Sequence, residues 1–122
     1  MTGGATTHYL KATNFGFTIP GGSVIDGIVV EVERKENSSS VCKDSRIRIV
    51  KGGSVGSTDK SSVTEWPTTD TYKTYGGAAD LWGETWSSTD INDSTFGFAL
   101  SALGVGFGTA QVDHIRITVY YH

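Results

Sequence analysis

The sequence predicts an all-β fold: an antiparallel β-sandwich, jelly-roll-like, with seven to eight strands and one short helical turn. Three observations lead there. Several stretches alternate apolar and polar residues with a period of two. Gly is abundant at 16 of 122 residues, Ser and Thr are plentiful, and the helix formers Leu, Ala and Glu are sparse. No helical segments of the kind that cross over between parallel strands are present, so the pairing is expected to be antiparallel.

The length of 122 residues fits one domain, with residues 1–7 read as a flexible lead-in and residues 8–122 as the sandwich. A domain of this size hides about two-thirds of its unfolded surface, enough for a core without staples.

In chain order, His8 to Ala12 is a weak strand. Asn14 to Ile19 puts Phe15, Phe17 and Ile19 on one parity and reads as a strand. Pro20-Gly21-Gly22-Ser23 breaks it, because Pro lacks a donor and the glycines accept positive φ. Val24 to Glu33 is a long strand with Ile28, Val30 and Val32 on one face. Arg34 to Lys43, with its Asn-Ser-Ser-Ser core, reads as a loop. Asp44 to Lys51 is a strand with Ile47 and Ile49 inward and Arg46 and Arg48 outward.

Gly52 to Lys60 is loop, Ser61 to Trp66 a short strand and Pro67 to Asp70 a turn. Thr71 to Tyr75 extends again. Ser88 to Asp93 has an N-capping hydroxyl and early acids, the marks of a single helical turn. Thr95 to Leu103 returns to strand, with Phe96, Phe98 and Leu100 inward, and Gly104 to Gly108 links it to the last stretch. Gln111 to Tyr121 alternates most regularly, with Ile115, Ile117, Val119 and Tyr121 on one parity, and is expected as a central strand.

Charge narrows the function classes. The formal net charge is −3 and no Lys/Arg-rich run exists, which argues against nucleic-acid binding. No apolar run approaches the roughly 20 residues that cross a bilayer, so no membrane partner is expected. The single cysteine, Cys42, has no partner for a disulfide and is expected half-buried or facing solvent. If neighbouring strands carry them, Glu31 and Glu33 would form a ladder of opposite charges with Arg46, Arg48 and Arg116.

No nucleophile elbow, phosphate loop or dinucleotide fingerprint appears, so no enzymatic activity and no obligatory cofactor are expected. Asp80, Glu84, Asp90 and Asp93 form a loose acidic group, which makes calcium the one candidate cation. Trp82 and Trp86, with Tyr75 and Tyr72, are candidates for stacking on sugars in a carbohydrate-binding module. The alternative is that the tryptophans plug one end of the sandwich. Asp113 falls on the core parity of the last strand, so either the strand begins after it or it accepts structural hydrogen bonds from loop amides or a nearby Thr or Trp. His114 points the other way.

Four phrases carry a resemblance. They are YLKATNFGFTIPGGSVIDGIVVEVER from Tyr9 to Arg34, WPTTDTYKTYGGAADLWG from Trp66 to Gly83, DINDSTFGF from Asp90 to Phe98, and VDHIRITVYY from Val112 to Tyr121. Together they resemble a β-sandwich module common in tailed-phage virion proteins, prophages and metagenomic surface proteins. The resemblance covers nearly the whole chain after the lead-in and transfers no enzymatic activity. It implies a virion-surface location and a role as a capsid decoration, accessory or appendage subunit, or as a receptor-facing domain. It also implies contact with other virion proteins or with further copies of itself, trimers being frequent in such modules. Outward Val29, Val50 and Tyr120 are candidates for that contact.

Overall fold

The computed structural model describes residues 5–6, 9–36, 40–106 and 110–122. The elements in chain order are β1 (Ala5–Thr6), β2 (Leu10–Thr13), β3 (Ile25–Glu36), β4 (Ser40–Lys51), β5 (Ser54–Val55), β6 (Thr71–Gly77), α1 (Ser88–Asn92), β7 (Gly97–Gly106) and β8 (Ala110–Tyr121). They form two antiparallel sheets. In the five-stranded sheet β4 lies between β7 and β5, and β1 and β2 pair with the other edge of β7. In the three-stranded sheet β3 lies between β6 and β8. This is the all-β antiparallel sandwich that the alternation predicts.

The core lies between the sheets. Ile28, Val30 and Val32 enter from β3, Cys42, Ile47 and Ile49 from β4, and Phe98, Leu100 and Ala102 from β7. Burying each large aliphatic or aromatic side chain contributes about 1.5–3 kcal/mol, which is what holds the layers together. Tyr75 from β6 stacks near Phe98 across the layers at 6.4 Å.

One end is closed by the chain between β6 and β7. Trp82, Ile91 and Phe96 are fully buried there, and Trp86 meets Phe96 edge-on at 5.4 Å. The helical turn α1 opens with a capping box in which Ser87 and Asp90 each accept the other's backbone N–H. Its Asn92 acts as a surrogate strand. It accepts the Ile19 N–H at 2.8 Å and donates to the Ile19 carbonyl at 2.9 Å.

Several expectations are corrected. Asn14 to Ile19 joins no ladder, and its backbone is left-handed at Asn14 (φ 62°) and Gly16 (φ 76°); Phe17 and Ile19 still pack on the core. Ser61 to Trp66 is not a strand either. Residues 56–66 run beside β4 through isolated backbone bonds, Gly56 N–H to Ile49 O, Lys60 N–H to Ile47 O and Trp66 N–H to Cys42 O. The β3 strand runs past Glu33 to Glu36, and β4 begins at Ser40, so most of the expected loop is strand. Residues 37–39 of that loop and residues 107–109 of the later link lie outside the described residues. Within the lead-in, Ala5 and Thr6 pair with Gly104 and Leu103; the rest of it lies outside the described residues.

Cys42 is buried in the core at 1% exposure rather than facing solvent. Val50 is also fully buried, which removes it from the contact candidates, whereas Tyr120 is 44% exposed. The expected charge ladder divides between the sheets. Arg116 on β8 grips Glu31 on β3 through two bonds of 2.9 and 3.2 Å, but Arg46 and Arg48 sit on the opposite sheet. Finally, β8 is not central. Among the described residues it pairs only with β3, so it is an edge strand, and Ile115, Ile117 and Val119 are half-buried.

Candidate functional site

Trp82 sits in a left-handed turn at φ 57°, and its ring is fully buried. Its Nε1 donates to the Ile28 carbonyl at 2.9 Å, and its backbone N–H is held by Asp80 Oδ1 at 2.8 Å. Phe98 meets the ring edge-on at 6.3 Å and the Lys60 ammonium stands 5.2 Å from its centroid. Trp86 is half-buried, donates to the Leu81 carbonyl at 2.9 Å and carries Lys51 Nζ 5.5 Å above its ring. Trp82 therefore plugs the end of the sandwich, and Trp86 packs beside it on Phe96 while staying half-buried. Trp82, fully buried, offers no ring face for stacking on a sugar.

The tyrosines divide likewise. Tyr75 is buried, with its hydroxyl inside the core. Tyr72 lies on the outer face of the three-stranded sheet, where the Arg116 guanidinium covers its ring at 4.0 Å. The four aromatic residues thus do not form one platform.

The acidic group is dispersed in the same way. Asp80 binds Lys60 at 2.6 Å. Burial raises its carboxyl, but the Lys60 hydrogen bond, the Trp82 amide and the Lys60 charge outweigh that and hold it below its usual range. Asp90 closes the capping box, and Asp93 accepts from the Thr95 amide and hydroxyl at 2.8 and 2.7 Å. Those Thr95 bonds lower the Asp93 carboxyl. Glu84 reaches back toward Gly56. Among the described residues no three His, Cys, Asp or Glu side chains gather as a cation centre would need.

Asp113 is not in the core. Glu33 pairs with His114 and Arg34 with Val112, so Asp113 is the extra residue of a β-bulge, and it is exposed. The bulge breaks the alternation on which its inward placement rests. Asp113 shares a hydrogen bond with Glu33, and that contact, before burial and the Asp113 and Asp70 charges, pushes the Glu33 carboxyl up.

The buried carboxylate expected at Asp113 is found instead at Asp44. From β4 it receives Arg34 Nη1 of β3, Trp66 Nε1 at 2.8 Å, the Tyr75 hydroxyl at 2.6 Å and the Ser62 amide at 3.0 Å. Arg34 also donates to the Tyr75 oxygen at 2.5 Å and stacks 4.9 Å from the Trp66 ring. Burial, then the Asp44 hydrogen bond and charge, push the Tyr75 phenol up against the opposing pull of Arg34. The signal for this cluster was in the parity. Arg34 continues the Ile28-Val30-Val32 series, and Asp44 follows Cys42 on the inward side of β4.

A shallow groove of about 360 Å³ opens where the edges of the two sheets meet. Leu10, Ala12 and Phe15 form one wall; Val112, His114 and Ile115 form the other. Leu10 is 47% exposed beside it, and Tyr120 and Tyr121 stand exposed farther along β8.

Compared with known proteins, the chain matches no family model, no curated protein and no solved structure.

Proposed function

We propose that this protein is a non-enzymatic structural subunit, a capsid decoration or an accessory or appendage subunit at the surface of a tailed-phage-type virion. It works by binding further copies of itself or other virion proteins. The resemblance supports this, because its phrases fall on the framework. They run through β2 and β3, through β6 to the Trp82 turn, from α1 into β7, and along β8.

The observation that carries the reading is the β8 edge. This strand of 12 residues has one ladder partner among the described residues and displays Tyr120 and Tyr121. A long edge with unpaired backbone groups and exposed rings is a template for another chain. The bulge and the Glu33–Asp113 pair guard one end of it, which leaves Ile115 to Tyr120 as the regular part, up to the second register shift opposite Asp26. A neighbouring subunit joining there covers the half-buried Ile117 and Val119.

The test is mass spectrometry of purified particles from the host that encodes the sequence. The chain is expected at a fixed copy number relative to the major capsid protein. Particles that lack it overturn the proposal.

A further inference from the structure

The outer face of the five-stranded sheet carries a charge pattern that its separate strands do not reveal. In the register, Lys11 on β2 and Arg48 on β4 flank Ala99 of β7 in one row. The next row holds Arg46 beside Ser101, with Tyr9 just ahead of β2 on the far side. Lys43 beside Leu103 continues the series. Neighbouring strands lie about 4.8 Å apart and alternate residues of one strand about 6.8 Å apart, so these cations stand within one small area. The floor between them, Gly97, Ala99 and Ser101, is made of small residues.

The cations are poorly neutralised. Lys11 Nζ donates to the Gly53 carbonyl at 2.7 Å, Arg46 to the Ser45 carbonyl at 2.8 Å and Arg48 to the Gly56 carbonyl at 3.3 Å. Among the described residues, Asp59, 3.8 Å from Arg46, is the carboxylate paired with this face, and the Ile47 and Ser61 amides already hold it at 2.9 and 3.0 Å. The carboxylate on these strands, Asp44, faces the core.

Two buried groups point to a missing partner. Ser101 is 2% exposed, and its Oγ has no hydrogen-bond partner among the described residues. Arg48 Nε on the neighbouring strand is likewise buried and unpartnered. Such groups normally find a partner, because leaving one unmade costs about 1–3 kcal/mol.

We propose that this sheet face is a binding site for an acidic polysaccharide, whose carboxylate or sulfate groups are taken by Lys11, Arg46 and Arg48 while Ser101 bonds an oxygen at the floor. An anion sets a full negative charge against each cation, where a neutral carbonyl offers only its dipole, and a carboxylate or sulfate can take a guanidinium through two parallel bonds. Ala99 and Ser101 are 0% and 2% exposed beneath these side chains, so the polymer reaches Ser101 by drawing Lys11 away from the Gly53 carbonyl and Arg46 away from the Ser45 carbonyl. Nucleic acid would need aromatic platforms for its bases, and Tyr9 is the one aromatic ring in these rows. The site lies on the sheet opposite the β8 edge and does not depend on a particle role.

The test is calorimetric titration of the whole chain with heparin, polygalacturonate, neutral dextran and single-stranded oligothymidylate. Binding to heparin or polygalacturonate is expected, weakened by added salt, with none to dextran. The double variant Lys11→Gln, Arg46→Gln is expected to weaken it at least about tenfold, while Lys73→Gln on the other sheet leaves it unchanged. Ser101→Ala separates binding from folding: it is expected to keep the melting temperature and lose affinity. No binding to either acidic polymer, binding unchanged in the double variant, or tighter binding to oligothymidylate overturns the proposal.

Discussion

The Tyr75 hydroxyl on one sheet donates to Asp44 Oδ2 on the other at 2.6 Å. With Arg34 and Trp66 it makes a polar clamp through an otherwise apolar core. A buried ion pair is weak evidence of net stability, because desolvation offsets its attraction. Removing one charge is another matter, since the other is left buried and alone. Asp44→Ala is expected to cost about 3–5 kcal/mol in urea unfolding, and Tyr75→Phe about 1–2 kcal/mol. The triple change Arg34→Met, Asp44→Leu, Tyr75→Phe is expected to recover most of the Asp44→Ala loss. A triple variant as unstable as Asp44→Ala would show that the clamp contributes net stability.

Gly76 and Trp82 form a second close relationship. Gly76 has φ 83°, and a Cβ there would lie 2.2 Å from the Ile28 carbonyl and 2.8 Å from Trp82 Nε1. That carbonyl is the one Trp82 bonds, so Gly76→Ala must displace both partners. Gly16 has a similar φ of 76°, with nothing within 4 Å of the same position. Gly16→Ala is therefore expected to show only the backbone cost, about 1 kcal/mol. Gly76→Ala is expected to exceed it by at least about 2 kcal/mol. Urea titrations followed by tryptophan fluorescence compare the two directly; equal losses would mean that the Trp82 seat yields at little cost.

Much of the framework was legible. Ile28, Val30 and Val32, then Ile47 and Ile49, then Phe98 and Leu100 are inward as a period of two requires. The Ser87–Asp90 box falls where an N-capping hydroxyl precedes early acids. The misreadings have physical causes. Alternation gives the face of a residue but not the neighbour of its strand, so it points to a central β8 and sets Arg46 and Arg48 beside glutamates of the other sheet. The Asp113 bulge removes alternation locally, and a charged residue such as Arg34 reads as solvent-facing until a partner on another strand is known. The basic face exists only in the register of β2, β7 and β4, about which local sequence carries almost nothing.

Acid acts on the fold in two opposing ways. Glu31 is held low chiefly by its Arg116 hydrogen bond, and Asp80 is held low against burial by Lys60. Each adds stability that is complete above its unfolded value, about 4.3 for Glu and 3.9 for Asp, and that is lost as pH falls through the lower folded value. Glu33 has the opposite sign. Its raised carboxyl binds a proton more tightly when folded, so its contribution is complete below the unfolded value and lost as pH rises through the folded one. Glu33→Gln is therefore expected to raise the melting temperature at pH 7, with the gain disappearing in acid. Lys60→Met is expected to lower it at pH 7, with a smaller deficit in acid. A Glu33→Gln gain of equal size at every pH would exclude the shared hydrogen bond with Asp113 as its source.

The β8 edge makes the last prediction. Edge strands that must stay alone carry lysines, prolines or bulges along their length. Here the β8 bulge sits at Asp113 and a second register shift lies opposite Asp26, and the half between them, Ile115 to Tyr120, carries Arg116 as its charged residue, already paired with Glu31. That half is the expected seam between copies. Sedimentation equilibrium at rising concentration is expected to show a closed oligomer for the native chain. Tyr120→Lys with Thr118→Lys places like charges on facing copies of a two-fold seam and on any strand that meets this face, which costs more than the exposed substitutions cost the fold. The double variant is expected to be monomeric with an unchanged circular dichroism spectrum. An oligomer that persists in the variant, or a native chain that stays monomeric at every concentration, would remove self-association through β8 and leave only a different protein as the partner of this edge.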